Sequence, residues 1–479
     1  MKNILLVLIL LSGIMISCTE NFEDLNTDKK HPVAVPGNFV FANAEVALVD
    51  QVASTNVNLN IWKLWAQHWT ECTYPDEANY DIYNRSIPDG NFRVYYRDVL
   101  SDLKEAARII GEEVVVGDEA TAVKQNRILI TKILSVYAYQ ELVDMFGDIP
   151  YTESLDIDNL SPVYDDAFGI YQDLLATLDE VTGGLDEDYG SFGSDDLILG
   201  GDVTMWKKFA YSLKVKIGIN LADFNSDLAK STIEGAYDKG FVPGDVVHLV
   251  YVGGANANPL YEDLVQSGRH DFVPATTLID KMNALEDPRR PFYFTLYNDS
   301  AYIGGVPGDL NAWGQLSHIA DPIKEPTFPQ ILMDYTELAF YLAEAAARGY
   351  SVGNTEDFYY NYGVGSSIVT WGGTEADVIA YLSRPDVNYA TAPGNWKEKI
   401  GTQAWIAYYT RGFTAYTSYR RLDFPVLNDV PVPETDDGLV PKRFTYPTAE
   451  QTLNKTNWES ASSAIGGDNM TTRLFWDKN

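Results

Sequence analysis

The chain has 479 residues and a formal net charge of −33, from 68 Asp and Glu against 35 Lys and Arg. That balance disfavours nucleic acid and anionic head groups, both of which reward basic patches, and by itself it names no partner. With 46% hydrophobic residues there is material for a large core, in one elaborate domain or two to three ordinary ones, and the composition is not that of a disordered chain.

Residues 1–18, MKNILLVLILLSGIMISC, place a lysine, an apolar run from Ile4 to Ile16 and Ser17 ahead of Cys18, the pattern of a lipoprotein signal peptide. The run is about half of the ~20 residues that a helix needs to cross a bilayer, so it reads as a signal segment, and nothing later reads as a span. Cleavage before Cys18 exposes a thiol for diacylation, and two or three acyl chains anchor where one does not. The expected order is therefore a signal peptide at 1–17, a lipid-anchored, turn-rich tether at 18–38 and one domain at 39–479. The alternative is a plain secretory signal cut elsewhere, because Met15-Ile16-Ser17 is a loose approach to the cysteine. With Cys18 given to lipid, Cys72 has no disulfide partner and reads as a small buried hydrophobe.

From Phe39 onward helical periodicity dominates. A first stretch passes through Val46, Val49 and Val52 and on to Ile61, Trp62, Trp65 and Trp69, whose spacing of three and four predicts one core-facing helical side. A strong helix follows from near Gln125 to Phe146, stopped by Gly147 and Pro150. Asp202 is the expected N-cap of the next, with Trp206, Phe209, Leu213 and Ile217 on its stripe. A fourth runs through Ile331, Leu332, Tyr335, Leu338, Leu342 and Ala346 to Gly349. Shorter helices at Asp165–Leu178 and Ser226–Tyr237 between them predict antiparallel hairpins packed in series. Between about Phe241 and Pro329 the text turns Gly-, Pro-, Asn- and aromatic-rich, with short alternating runs such as Phe292–Leu296. The fold class is thus mainly α, a hairpin scaffold with an irregular loop-rich lobe and a few short strands.

Catalytic constellations are thin. There is no phosphate loop and no His-Glu-x-x-His pair, and the five histidines are scattered without ligand spacing. Two carboxylates suffice for glycoside hydrolysis, but with 68 acids any chosen pair is uninformative. Asp186-Glu187-Asp188 and Asp436-Asp437-Gly438 offer oxygen ligands for structural calcium yet lack the alternating ligand spacing, so solvated turns and no cofactor are expected. The aromatics carry more. In TYPDEANYDIYNRSIPDG, Tyr74, Tyr80, Tyr83 and Asn84 sit among Pro, Asp and Gly with no periodic face to bury them, and Tyr297, Tyr302 and Trp313 form a second such set. Rings that stack on a pyranose face, with Asn and Asp taking hydroxyls, need this mixture. The competing reading is that most such tyrosines are core or snorkelling residues.

The segments from Phe22-Glu23-Asp24-Leu25-Asn26, Phe146-Gly147-Asp148-Ile149-Pro150-Tyr151 and Trp206-Lys207-Lys208-Phe209-Ala210-Tyr211 to Ala343-Glu344-Ala345-Ala346-Ala347-Arg348-Gly349, Gln403-Ala404-Trp405 and Arg420-Arg421 stand in this order behind a lipoprotein signal. Together they resemble the SusD/RagB-type nutrient-binding outer-membrane lipoproteins of the Bacteroidetes. The resemblance implies a scaffold of tetratricopeptide-like hairpins and a loop-rich ligand lobe. It also implies a binder that is not an enzyme, lipid-anchored at the outer membrane and facing outward. Such a protein captures oligosaccharides or peptides for a partner TonB-dependent, SusC-like transporter, with no nucleic acid involved. A secreted glycan-degrading enzyme and a helical scaffold without small ligand are the alternatives.

Overall fold

The computed structural model describes residues 35–478, so the signal segment, Cys18 and the tether up to Ala34 lie outside the described residues. Helices α1 (Gly37–Ala53), α2 (Ser101–Glu112), α3 (Asp118–Phe146), α4 (Ala167–Gly184), α5 (Val203–Asn220) and α6 (Ser226–Ala236) follow in order, and each packs on the next. The lobe contributes α7 (Thr276–Ala284). Beyond it α8 (Tyr335–Ala347) leans back on α5 and pairs with α9 (Glu356–Thr370), which is followed by α10 (Glu375–Leu382), α11 (Trp396–Ala407) and α12 (Gly412–Leu422), with α13 (Lys455–Ala464) near the end. Among the described residues no helix is long and apolar enough to cross a membrane.

Local chemistry sets many of these limits. The Asp202 carboxylate accepts the Met205 N–H at 3.0 Å, and Asp166 and Asp334 cap α4 and α8 in the same way. Gly147, with φ +86°, ends α3 where a side chain would be strained. Three boundaries differ from expectation. α3 begins at Asp118, well before Gln125, because its first turns are polar and solvent-facing and leave no apolar stripe. Ile331 and Leu332 belong to a strand, and α8 starts only after the Asp334 cap. Phe292–Leu296 is not a strand; a helical turn at Arg290–Tyr293 gives way to a single bridge from Phe294 to Ile319.

The sheets are minimal. β1 (Trp69–Glu71) pairs antiparallel with β3 (Phe272–Pro274), Trp69 opposite Pro274 and Glu71 opposite Phe272. β2 (Val246–Leu249) pairs with β4 (Gln330–Asp334) across an irregularity at Val247–His248. Each pair ties the lobe to the scaffold, so the lobe's loops hang from fixed points. Trp62, Trp65 and Trp69 are all fully buried, as their spacing suggests, but Trp69 is on β1 and not on a helix. Trp62 meets Trp65 edge-on at 5.3 Å and packs on Phe444 at 4.1 Å and Tyr416 at 5.2 Å. Each such pair adds about 0.5–1.5 kcal/mol beyond its buried area. Buried charges are cross-linked as well: Glu337 accepts Arg411 at 3.0 Å and lies 3.3 Å from Lys216, while Glu344 accepts Arg421 at 3.0 Å.

Candidate binding site

β1 delivers the chain into the 72–86 loop beside β3, and side chains then stitch three loops together. The Cys72 N–H donates to the Asp271 carbonyl at 2.8 Å, and the Asn311 N–H donates to the Cys72 carbonyl at 3.0 Å. Asn79 is the hub: its amide donates to the carbonyls of Pro75 (2.8 Å) and Gly308 (2.7 Å), and its Oδ1 accepts the Val432 N–H at 3.1 Å. Gly308 must be glycine here, since a Cβ would lie 2.5 Å from Asn79 Oδ1 and φ is +72°. Beneath the loop, Glu71 accepts the Ala78 N–H at 2.9 Å; burial, with the adjoining Glu77 carboxylate, pushes the Glu71 pKa well above the usual carboxylate range. Glu77 in turn holds Arg85. Cys72 is buried, and burial pushes its thiol up to about 11.

A cleft of about 420 Å³ is lined by Thr55–Asn58, Tyr74 and Arg85 together with Asp263, Ser267, Arg269, Asp271 and Phe272. Tyr74 is 54% exposed, and the Arg269 guanidinium stands 5.9 Å from its ring centroid. Arg269 is fixed by Asp271, which accepts from Nη2 at 2.9 Å and from Nε. Behind the same Arg269–Phe272 segment lies a second cleft of about 310 Å³, walled by Leu264, Val265, Trp313, His318 and Ile319. The arrangement can stack on ring faces and exchange hydrogen bonds with hydroxyls. Among the described residues no cluster of three His, Cys, Asp or Glu is placed to hold a metal ion.

The expected site residues are dispersed by the fold. Tyr74 and Trp313 flank the Arg269–Phe272 segment, one in each cleft. Trp313 is not an open plate: His270 stacks on one face at 3.9 Å and His318 on the other at 3.7 Å, so only its edge is available. Tyr80 is corrected outright. It is 1% exposed and meets Trp65 edge-on at 6.1 Å, because the loop folds inward and supports itself from within. Tyr83 is 56% exposed, while the Asn84 amide is engaged by Asp81 in closing the turn. Tyr302 is wedged between Arg290 (5.5 Å) and Phe294 (6.2 Å), and Tyr297 closes a tight turn with Ala301; neither lines either of these two clefts.

Arg85, Arg269, Asp271, Asn56 and Asn58 were missed. Ser267-Gly268-Arg269-His270-Asp271, a turn sequence in the lobe, carries a signal in retrospect, whereas the joining of His270 to His318 is invisible without the fold.

Residues 29–447 match the model of the SusD-like_2 family, described as starch-binding and associating with the outer membrane. The chain belongs to the SusD-like family. Solved relatives share the architecture. A chitin-binding protein is 24% identical, with a TM-score of 0.78 over 92% of this chain and 100% of that one. A SusD homologue from Bacteroides uniformis is also 24% identical, with a TM-score of 0.76 over 92% of this chain and 99% of its own. A chitin-binding SusD homologue from Flavobacterium johnsoniae is 21% identical, with a TM-score of 0.78 over 92% and 98%. No curated protein matches the sequence. SusD-like proteins are binding proteins placed at the outer membrane, and the helical-hairpin scaffold with few strands is the family's fold.

Proposed function

We propose that this SusD-like protein is a lipid-anchored surface lipoprotein that binds oligosaccharide nutrients, peptides being the second ligand class, and passes them to a partner TonB-dependent transporter without turnover. The observation that carries the reading is the polar cleft in which exposed Tyr74 lies beside the Arg269–Asp271 fork, with Asn56 and Asn58 lining the same cleft. A ring face next to paired donors and acceptors is what a sugar requires. The family's description and the chitin-binding relatives support a glycan over a peptide. A few stacked rings and hydrogen bonds at ~1 kcal/mol each give micromolar to millimolar binding, weak enough to release. No cofactor is needed for that task.

The test has two parts. Calorimetry of residues 18–479 against starch and chitin oligomers is expected to show saturable binding with no new reducing ends, and product formation would replace this reading with a hydrolase. Mild-detergent purification of the lipidated protein from its own outer membrane is expected to bring down a stoichiometric barrel, and isolation of the protein alone would remove the delivery role.

A further inference from the structure

The two clefts share a wall. Arg269, Asp271 and Phe272 line both, and the crest between them carries the exposed side chains of Arg269 and His270. Their characters differ: the first presents Thr55, Asn56, Asn58 and Ser267, the second Leu264, Val265, Ile319 and the edge of Trp313. The cations of both walls are already matched, Arg85 with Glu77, Arg269 with Asp271 and Lys324 with Asp321 at 2.7 Å. On a chain of net charge −33, no spare cation here awaits an anionic ligand.

We infer, building on the glycan-binding reading above, that the two clefts are consecutive subsites for one extended, neutral oligosaccharide that crosses the Arg269–Asp271 fork. Hydroxyls are held in the first cleft, and apolar ring faces lie on the walls of the second. The fork suits the crossing. A guanidinium that spends two N–H groups on a carboxylate keeps three, and the carboxylate keeps lone pairs, so the pair offers donors and acceptors together without demanding a charge in return. The stack of His270, Trp313 and His318 makes the second wall rigid, which removes the ordering cost that a mobile loop would add on binding.

Calorimetry with ladders from dimer to octamer of β-1,4-linked N-acetylglucosamine and of α-1,4-linked glucose, and of galacturonic acid as the charged control, tests this. In the neutral ladder that binds, affinity is expected to rise at least tenfold over the lengths at which the chain crosses the fork and then level off, with the uronate ladder at least tenfold weaker. Trp313→Ala is expected to reduce long oligomers to the affinity of short ones while leaving short ones within twofold. Val265→Asp, at an exposed position, is expected to do the same should Trp313→Ala fold poorly. Tyr74→Ala is expected to weaken every length. Affinity independent of length, or equal losses at every length for Tyr74→Ala and the second-cleft variants, overturns the two-subsite inference while leaving glycan binding intact. Tighter binding of uronates overturns its neutrality. A folded protein that binds no ladder overturns the glycan reading itself, and the inference with it.

Discussion

Asp287 with Arg289 and Arg269 with Asp271 are Arg–Asp forks of the same two-residue spacing, both from the lobe, one buried against the scaffold and one at the lobe's surface. In the first, both side chains are 0% exposed, and the fork is hemmed in by Ser367 (2.9 Å), Gln403 (2.9 Å) and the Tyr381 hydroxyl (2.8 Å). In the second, the side chains are 56% and 30% exposed, and Tyr74 is the neighbour. Burial converts such a pair into a fixed joint, because the cost of leaving either charge alone in a dry interior is large. At the surface the same pair holds little stability and keeps hydrogen-bonding capacity for a ligand.

The comparison is broken most strongly at the buried end. Arg289→Met strands Asp287, and a loss of about 3–5 kcal/mol in urea unfolding is expected; a midpoint within error of the parent would show that this joint is not structural. Next come the two tyrosines of one loop. Tyr80→Ala removes a core aromatic and is expected to cost about 3–5 kcal/mol, whereas Tyr83→Ala, on the exposed side, should stay within about 0.5 kcal/mol. Similar values for both would mean that the loop is not packed as described.

A smaller effect is a pH slope. His68 is buried with Nε2 3.0 Å from the Trp405 carbonyl, and burial pushes its pKa down to about 3. Between roughly pH 6.5 and 3 the unfolded chain binds a proton that the folded chain refuses. Stability from this group therefore falls as pH drops, by about 1.4 kcal/mol per pH unit. His68→Gln, whose amide can still donate to that carbonyl, is expected to flatten the slope, and an unchanged slope in acid titrations followed by circular dichroism would refute the assignment. Least disturbing to the fold is Asp271→Asn. No shift in melting temperature is expected from the exposed fork, but glycan affinity should drop about tenfold, the value of roughly one hydrogen-bonding unit.

Much of the scaffold was legible because its signals are local. Asp202, Gly147 and Gly349 mark helix ends by their own chemistry, and a stripe such as Trp206, Phe209, Leu213 and Ile217 needs only its own spacing. Errors fell where two structures share one apolar pattern, as at Ile331–Leu332 and Trp69, since a short apolar run serves a buried strand as well as a helix. In the candidate site, Tyr74 was readable as an aromatic in a loop with no face to bury it. Tyr80, from the same loop, was not, because its burial against Trp65 depends on a chain reversal that no local pattern encodes.

Taken alone, the amino-acid sequence determined that this is a long, acidic, mainly helical chain with an irregular loop-rich lobe. Those properties follow from composition and from periodicities of a few residues. Tertiary structure alone decided that Arg269 and Asp271 crown a wall between two clefts, that Trp313 is closed between His270 and His318, and that a tyrosine expected at the surface is core. Each of these rests on contacts between segments tens to hundreds of residues apart, where side-chain hydrogen bonds and ring packing choose among loop conformations that local propensity leaves nearly equal in energy.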